Sequence, residues 1–264
     1  MTIPQGGTAL VWARLGLGLY SLNRQEDQED VGMDSRLPVV YFARMDVEAS
    51  ALRRFEEWYA TKHGPDLLEA GFFSAQAYHC RIGGPLVCNV YEIPSSEIFY
   101  TDEYNSKRTA EHDPERAWIL DHVSNRSNTA YEQVVTDGVV PAESPWDDGV
   151  EHVGAITGPV ISILRFDAPD RSDDQTVGWG SEALSTMRRN GAKAVRLCRR
   201  AGRLHPSNPS SEPSWVLLFE WDTMDQAVEA QTELELIGEL LRALGSIDRP
   251  SYDVAERRIA LRRA

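Results

Sequence analysis

The sequence predicts an α+β protein in which one order of secondary-structure elements, β-α-β-β-α-β, occurs twice along the chain. Two observations support this prediction. Short runs rich in β-branched and aromatic residues alternate with longer segments in which apolar residues recur at helical spacing. The same alternation resumes after a central stretch rich in proline, glycine and acidic residues.

The first copy of this order contains four predicted strands and two helical segments. The strands are predicted from their valine, isoleucine, tyrosine and phenylalanine content at residues 38–45, 72–81, 86–93 and 128–136. A helix is predicted at 51–62 and is expected to be interrupted by Gly64 and Pro65. The polar and aromatic stretch 95–123 is predicted to be helical, with a break near Pro114.

The second copy follows the same order. Its strands are predicted at residues 159–166, 192–200, 215–221 and 252–261. Its helices are predicted at 174–189 and at 224–244, where leucine and isoleucine recur at helical spacing.

These elements divide the chain into four parts. Residues 1–35 form an N-terminal appendage, and Met33 is an alternative start of the protein. Residues 36–137 and 159–264 are the two modules, joined by a linker at 138–158.

Each predicted module is a ferredoxin-like unit, a single sheet with helices on one face only. The other face is apolar, and a large exposed apolar face drives association. Two modules in one chain can cover each other's bare faces. We therefore predict a single pseudo-dimeric α/β barrel; the alternative is two independent domains on a flexible linker.

Composition limits the partners. The chain has 41 acidic and 27 basic residues, a formal charge of −14, which argues against nucleic acid as a ligand. The apolar run 8–20 is too short to span a bilayer and contains Arg14, so no membrane partner is expected. The three cysteines lack metal-ligand spacing, and buried free thiols in a reducing, cytoplasmic setting are predicted.

One segment, residues 56–80, contains a series of motifs. An aromatic pair near the helix end precedes a histidine, a proline and an acidic residue, and a leucine pair leads to a glycine-aromatic strand start. The positions are Trp58-Tyr59, His63, Pro65, Asp66, Leu67-Leu68 and Gly71-Phe72. This series resembles the EthD-like branch of the dimeric α+β barrel superfamily. The motifs cover roughly a tenth of the chain.

The segment departs from the family pattern at two positions. Gly64 stands where the family usually has an apolar residue, and Ala70 where a proline often precedes the glycine. The second half has no equivalent of the histidine motif. We therefore expect one site per chain, carried by the first half, with the second half mainly closing the barrel.

Spacing places His63 on the inner side of its helix. Leu52, Phe55, Tyr59 and His63 follow one another at intervals of three, four and four residues, so they share one helix face. An imidazole there can exchange a proton with a ligand near neutral pH. The alternative is that His63 only interacts with the last carbonyls of its helix.

Further side chains are candidates for a cavity wall. The substrate-binding candidates are Tyr41, Trp58, His79, Asn89, Tyr91, Phe99 and Tyr100. Strand alternation puts His79 on one face with Ala75 and Ala77. The alternative for these residues is ordinary core packing. The histidines predicted to lie at the surface are His112, His122, His152 and His205.

The resemblance implies an enzyme of cyclase, isomerase, lyase or cofactorless monooxygenase type that acts on a small hydrophobic aromatic or polyketide-like molecule. His63 would be the general base, Asp66 would orient it, and Tyr59 or Tyr91 would donate a hydrogen bond to the developing oxyanion. The alternative is a non-catalytic module that binds a hydrophobic ligand or assists another enzyme.

No phosphate-binding loop, nucleophile elbow or HExxH motif occurs in the sequence. We therefore expect no cofactor and no metal; haem held through one histidine is the alternative. The expected partner is a small hydrophobic molecule, and the expected state is a monomer or a homodimer.

Overall fold

The computed structural model describes residues 37–139, 156–203, 205–206, 212–232 and 247–262. Eight antiparallel strands form a closed barrel in the order β1-β3-β2-β8-β5-β7-β6-β4. Their bounds are β1 Val39–Val47, β2 Ser74–Ile82, β3 Val87–Ile93, β4 Val123–Asp137, β5 Val160–Asp167, β6 Ala194–Arg200, β7 Trp215–Trp221 and β8 Asp248–Arg262.

The barrel is built from both halves of the chain. The first half supplies the neighbouring strands β4-β1-β3-β2, and the second half supplies β8-β5-β7-β6. The pairing of β2 with β8 and of β4 with β6 closes the ring. The predicted single barrel is therefore confirmed. The predicted appendage 1–35 and residues 140–155 of the predicted linker lie outside the described residues.

Strand alternation divides the side chains between two faces. Even-numbered residues of β1, such as Val40 and Phe42, point into the barrel, where they pack with Ile161 and Leu218 of the second half. The sheet faces therefore cover each other as the sequence predicts. Odd-numbered residues of β1, such as Tyr41, pack beneath the helices of the first half on the outside of the barrel.

Polar contacts lie toward both ends of the barrel interior. At one end, Gln76 Nε2 donates to the carbonyl of Ile156 at 2.7 Å, and Tyr78 Oη donates to the carbonyl of Gly158 at 2.9 Å. The last residues of the predicted linker are thus part of the barrel. Toward the other end, Asp253 forms buried ion pairs with Arg44, at 3.0 Å, and with Arg165.

The first helical segment differs from the prediction. It consists of α1 (Leu52–Trp58), a π-helical turn (Tyr59–His63) and α2 (Gly64–Glu69), with helical backbone angles at the junctions. The expected interruption at Gly64 and Pro65 is therefore wrong. The chain tolerates the proline because a wider turn precedes it, in which the Gly64 N–H donates to the Tyr59 carbonyl five residues back.

The remaining helices cover the outside of the barrel. The predicted stretch 95–123 is three short pieces: a 3₁₀ turn at Ser96–Tyr100, α3 at Asp102–Ser106 and α4 at Glu115–Asp121. In the second half, α5 spans Asp173–Arg189 and begins at a capping box. Residues 224–232 are helical, and the rest of the helix predicted there lies outside the described residues.

Two sequence expectations concern the cysteines and the membrane. Cys88 and Cys198 are buried free thiols, and Cys80 is a half-buried one. Burial raises the pKa of Cys88 to about 11 and that of Cys198 to about 12. No helix in the described ranges combines the length and apolar character needed to cross a bilayer.

Gly64 lies where the first helical segment touches the last strand. A Cβ atom there would overlap Leu261 Cδ1 of β8 and would lie 2.9 Å from the Tyr59 carbonyl oxygen. An apolar side chain at this position has no room. The glycine therefore lets the turn that carries His63 pack directly against the second half.

Replacing Gly64 should destabilise the protein. We expect Gly64→Ala to lower the free energy of unfolding by about 1–2 kcal/mol, because overlap with Leu261 and the Tyr59 carbonyl outweighs the better helix propensity of alanine. Urea unfolding measures the change. Gly178→Ala in α5 is the matched control, since a Cβ atom there meets nothing within 4 Å. This substitution should raise the free energy of unfolding by about 0.5–1 kcal/mol. Equal effects of the two substitutions would contradict the packing argument.

Candidate active site

A cavity of about 500 Å³ lies between the outer face of β1 and β3 and the helices of the first half. The sheet contributes Tyr41, Asn89 and Tyr91, and the first helical segment contributes Trp58 and His63. These five were all among the residues predicted for the site. The structure therefore brings together half of the candidate residues around one cavity.

The π-helical turn sets the position of His63. Its ring stacks on the Trp58 indole, with centroids 4.4 Å apart and planes at 10°. The indole Nε1 donates to both carboxylate oxygens of buried Asp113, each at 3.1 Å. Asp113 thus fixes Trp58, and Trp58 fixes one face of the imidazole.

The His63 nitrogens have no hydrogen-bond partner within the described part of the chain, and the ring keeps partial accessibility because the cavity adjoins it. His63 does not bond to helix carbonyls, since the helix continues through it. Burial, and secondarily the charges of Arg116 and Arg108, hold its pKa well below the usual value of 6.5. The ring is therefore neutral at pH 7.

Polar groups on the sheet face the same cavity. The rings of Tyr41 and Tyr91 stack at 5.2 Å, and burial holds the pKa of both phenols well above 10. Both are therefore neutral hydroxyl donors. Asn89 Oδ1 is a buried acceptor without a hydrogen-bond partner in the described ranges. A bound molecule can satisfy groups of this kind.

His205 was predicted at the surface, and that prediction is wrong. It follows β6 in the second half, is only 3% exposed and lines the cavity. Its ring lies parallel to Tyr41 at 5.7 Å, and its Nε2 is 2.9 Å from Tyr104 Oη. Burial, with Arg108 and Arg116, lowers its pKa to about 3. The second half thus contributes to the site as well as closing the barrel.

The cavity is also lined by three arginines that were not among the residues predicted for the site. Arg108 and Arg116 are half-buried, and Arg126 lies at the exposed rim. The Arg108 guanidinium lies 4.8 Å from the centroid of the Tyr104 ring. Arg108 and Arg116 lie in the stretch 95–123, for which the sequence predicts only helical structure, and Arg126 follows it. Their convergence depends on the breaks between the short helices.

Asp66 and Tyr59 do not line the cavity. Asp66 Oδ1 is 3.3 Å from Lys62 Nζ and 3.1 Å from His112 Nε2, so its carboxylate is engaged away from the predicted partner His63. Tyr59 is fully buried beside Tyr91, at 6.3 Å between ring centroids. It supports the cavity wall from behind.

Three other candidates also lie outside the lining. His79 Nε2 is 3.4 Å from Glu56 Oε1. Phe99 is buried behind the cavity wall, in contact with the rings of Tyr41 and His205. Tyr100 is 41% exposed beneath the Arg203 guanidinium, on the surface. The other histidines predicted at the surface are half-buried, His112 and His122, or outside the described residues, His152.

The capacity of the site for a metal or cofactor follows from its donors. The described residues contain no group of three or more histidine, cysteine or acidic side chains that could hold a metal ion. Haem needs only one axial histidine, and His63 has the nitrogens for it. The nearby arginines would suit haem carboxylates. His63 and these arginines are thus the residues that would hold haem.

No family model matches the chain, and no curated protein matches its sequence. Among solved structures, an anthrone oxidase-like protein aligns with a TM-score of 0.57 and 10% identity over 88% of this chain and 95% of that one. A proposed monooxygenase from Fusobacterium nucleatum subsp. nucleatum ATCC 25586 has a TM-score of 0.57 and 10% identity over 88% and 97%. A second, from Lactobacillus acidophilus NCFM, has a TM-score of 0.50 and 10% identity over 86% and 97%.

These similarities concern the fold. The chain shares with these structures an α+β fold, and its own eight antiparallel strands close into one barrel formed by a single polypeptide. At about one identical residue in ten, the similarity assigns no residue roles.

The low pKa of His205 predicts a pH-dependent stability. Because the folded pKa of about 3 lies below the unfolded value of 6.5, the unfolded chain binds more protons as pH falls below 6.5, and the folded state loses stability. The advantage of the wild type over His205→Gln should therefore shrink by on the order of 1 kcal/mol per pH unit below about 6. Urea unfolding of both proteins from pH 7 to 5 tests this, and parallel curves would contradict it.

Proposed function

We propose that this protein is a cofactor-independent enzyme in which His63 removes a proton from a small hydrophobic aromatic or polyketide-like molecule. The observation that carries the proposal is a neutral imidazole facing a cavity of about 500 Å³, with no hydrogen-bond partner in the described residues. A general base needs a free nitrogen that is unprotonated at the working pH.

The proton-transfer step follows from the groups around the cavity. A substrate C–H or O–H bond breaks, an N–H bond forms on His63, and the electron pair stays on the substrate as an enolate or phenolate oxygen. Tyr91 and Tyr41, held neutral by burial, supply hydroxyls to that oxygen. Of the two tyrosines expected in this role, Tyr91 lines the cavity and Tyr59 does not, so the role is given to Tyr91.

The orientation of His63 is assigned to Trp58 and Asp113. Asp66, the residue expected for this role, is engaged by Lys62 and His112. Stacking on an indole that is itself held by a buried carboxylate fixes the plane of the imidazole without changing its protonation.

Within this class we favour an oxygenase with dioxygen as the co-substrate, because the structural neighbours are described as anthrone oxidase-like and as monooxygenases. Anthrone illustrates the balance. His63 takes a proton from its methylene carbon, dioxygen adds to the resulting anion, and the peroxide takes the proton back. Loss of the second methylene hydrogen with O–O cleavage gives anthraquinone and one water. The organic anion supplies the electrons, so the scheme needs no further reductant.

We also propose that the two halves are tandem copies of a ferredoxin-like module and that the first copy is EthD-like. The repeated strand order supports the duplication: β4-β1-β3-β2 and β8-β5-β7-β6 place equivalent strands at equivalent positions. Only the first copy carries the histidine motif, so one site per chain follows.

His63 substitution tests the mechanism. We expect His63→Ala to lower kcat/KM for anthrone, followed by dioxygen consumption in the presence of a chelator, by about 10²-fold or more. His122→Gln, a histidine outside the cavity lining, should leave the rate unchanged. A folded His63→Ala protein with the wild-type rate removes His63 from the mechanism. Thermal stabilisation by anthrone without turnover supports the non-catalytic binder, and turnover only after addition of haemin refutes cofactor independence.

The pH profile provides an independent test. Since the base must be neutral and its folded pKa lies below 6.5, kcat/KM should be level from about pH 8 to 6.5 and fall only at lower pH. Rates across this range, with folding checked at each pH, measure the profile. A loss of half the rate above pH 6.5 is incompatible with His63 as the base.

A further inference from the structure

The charge of the cavity is opposite to that of the protein. The chain carries 41 acidic and 27 basic residues, yet the described cavity lining contains Arg108, Arg116 and Arg126 and no aspartate or glutamate. In a chain of formal charge −14, three cations that line one cavity form a local positive field.

Arg116 is the most informative of the three. It lies in the first turn of α4 and is half-buried. Its guanidinium forms no hydrogen bond or ion pair within the described ranges. The nearby Asp113 accepts hydrogen bonds from the Trp58 indole and from the Arg116 backbone N–H, at 3.1 Å. A half-buried cation without a bonded carboxylate is costly, and a bound anion would offset that cost.

Aromatic side chains line the same cavity as the arginines. Phe55 and Trp58 from α1, with Tyr41 and Tyr91 from the sheet, line the same cavity. A molecule that fills it meets both aromatic rings and guanidinium groups. A planar ring bearing an ionised acid group matches both.

We propose that the cavity binds an aromatic carboxylate, with the acid group on Arg116 and assistance from Arg126 at the rim. The inference narrows the substrate class of the proposed function and rests on that site, but it concerns binding alone. A guanidinium presents paired N–H donors that match the two oxygens of a carboxylate. An amide of the same shape lacks the charge and one acceptor.

Anion binding would also act on His63. The charges of Arg116 and Arg108 contribute to the low pKa of this imidazole. A carboxylate on Arg116 neutralises part of that field, which raises the basicity of His63 when the substrate is bound. The same contact would therefore bind the ligand and prepare the base.

The test compares 9-anthracenecarboxylate with anthracene-9-carboxamide, two ligands of nearly equal shape, by calorimetric titration. The wild type should bind the carboxylate about 10-fold or more tightly than the amide. Arg116→Gln should lose most of this preference. Arg53→Gln is the control, because it removes the same charge from an exposed position on α1 outside the cavity lining.

Several outcomes decide the proposal. Equal affinity for the two ligands, no binding of the carboxylate, or an equal loss in Arg53→Gln and Arg116→Gln overturns it. If Arg116→Gln fails to fold, a salt titration of the wild type replaces this variant. Added salt should then weaken binding of the carboxylate more than binding of the amide. His63→Ala should keep the preference for the carboxylate, so failure of the catalytic proposal remains distinguishable from failure of this one.

Discussion

Closure of the barrel is the constraint on which the other features depend. Each half of the chain forms a four-stranded sheet with two unpaired edges, and the pairings β2–β8 and β4–β6 satisfy all four. Closure turns one face of both sheets into a shared interior filled by apolar side chains. It thereby leaves the opposite face of each sheet to its own helices. The cavity lies on that outer face of the first half, between sheet and helices.

The two halves are alike in strand order but unequal in what they carry. The π-helical turn of the first half directs His63 toward the cavity, and the absence of a side chain at Gly64 lets this turn pack on Leu261 of β8. The second half contributes one side chain to the site, His205, which stacks on Tyr41 of the first half. Each half therefore depends on the other for the site, although only the first carries the candidate base.

The electrostatics of the cavity fit one consistent chemistry. Burial and nearby arginines keep His63 and His205 neutral, and burial keeps Tyr41 and Tyr91 protonated. The site thus combines neutral donors and acceptors with an excess of positive charge, because its lining holds three arginines and no acidic residue among the described positions. A proton-transfer step that generates an oxyanion lowers this imbalance, and so does a ligand that arrives as an anion. The same field therefore favours both the binding and the developing charge.

The sequence by itself determined the eight strands, their closure into a single barrel and the inner position of His63. These follow from local composition and spacing, which short-range sterics and burial translate directly into strands and helix faces. It failed at the helix break, since the wider turn before Pro65 is a hydrogen-bond arrangement that residue types do not specify. It missed Arg116 and His205, and it paired Asp66 with His63, whereas in the structure Asp66 contacts Lys62 and His112. Which distant side chains meet at the cavity was decided only by the tertiary structure, because barrel closure and the breaks between short helices bring together residues far apart in the chain.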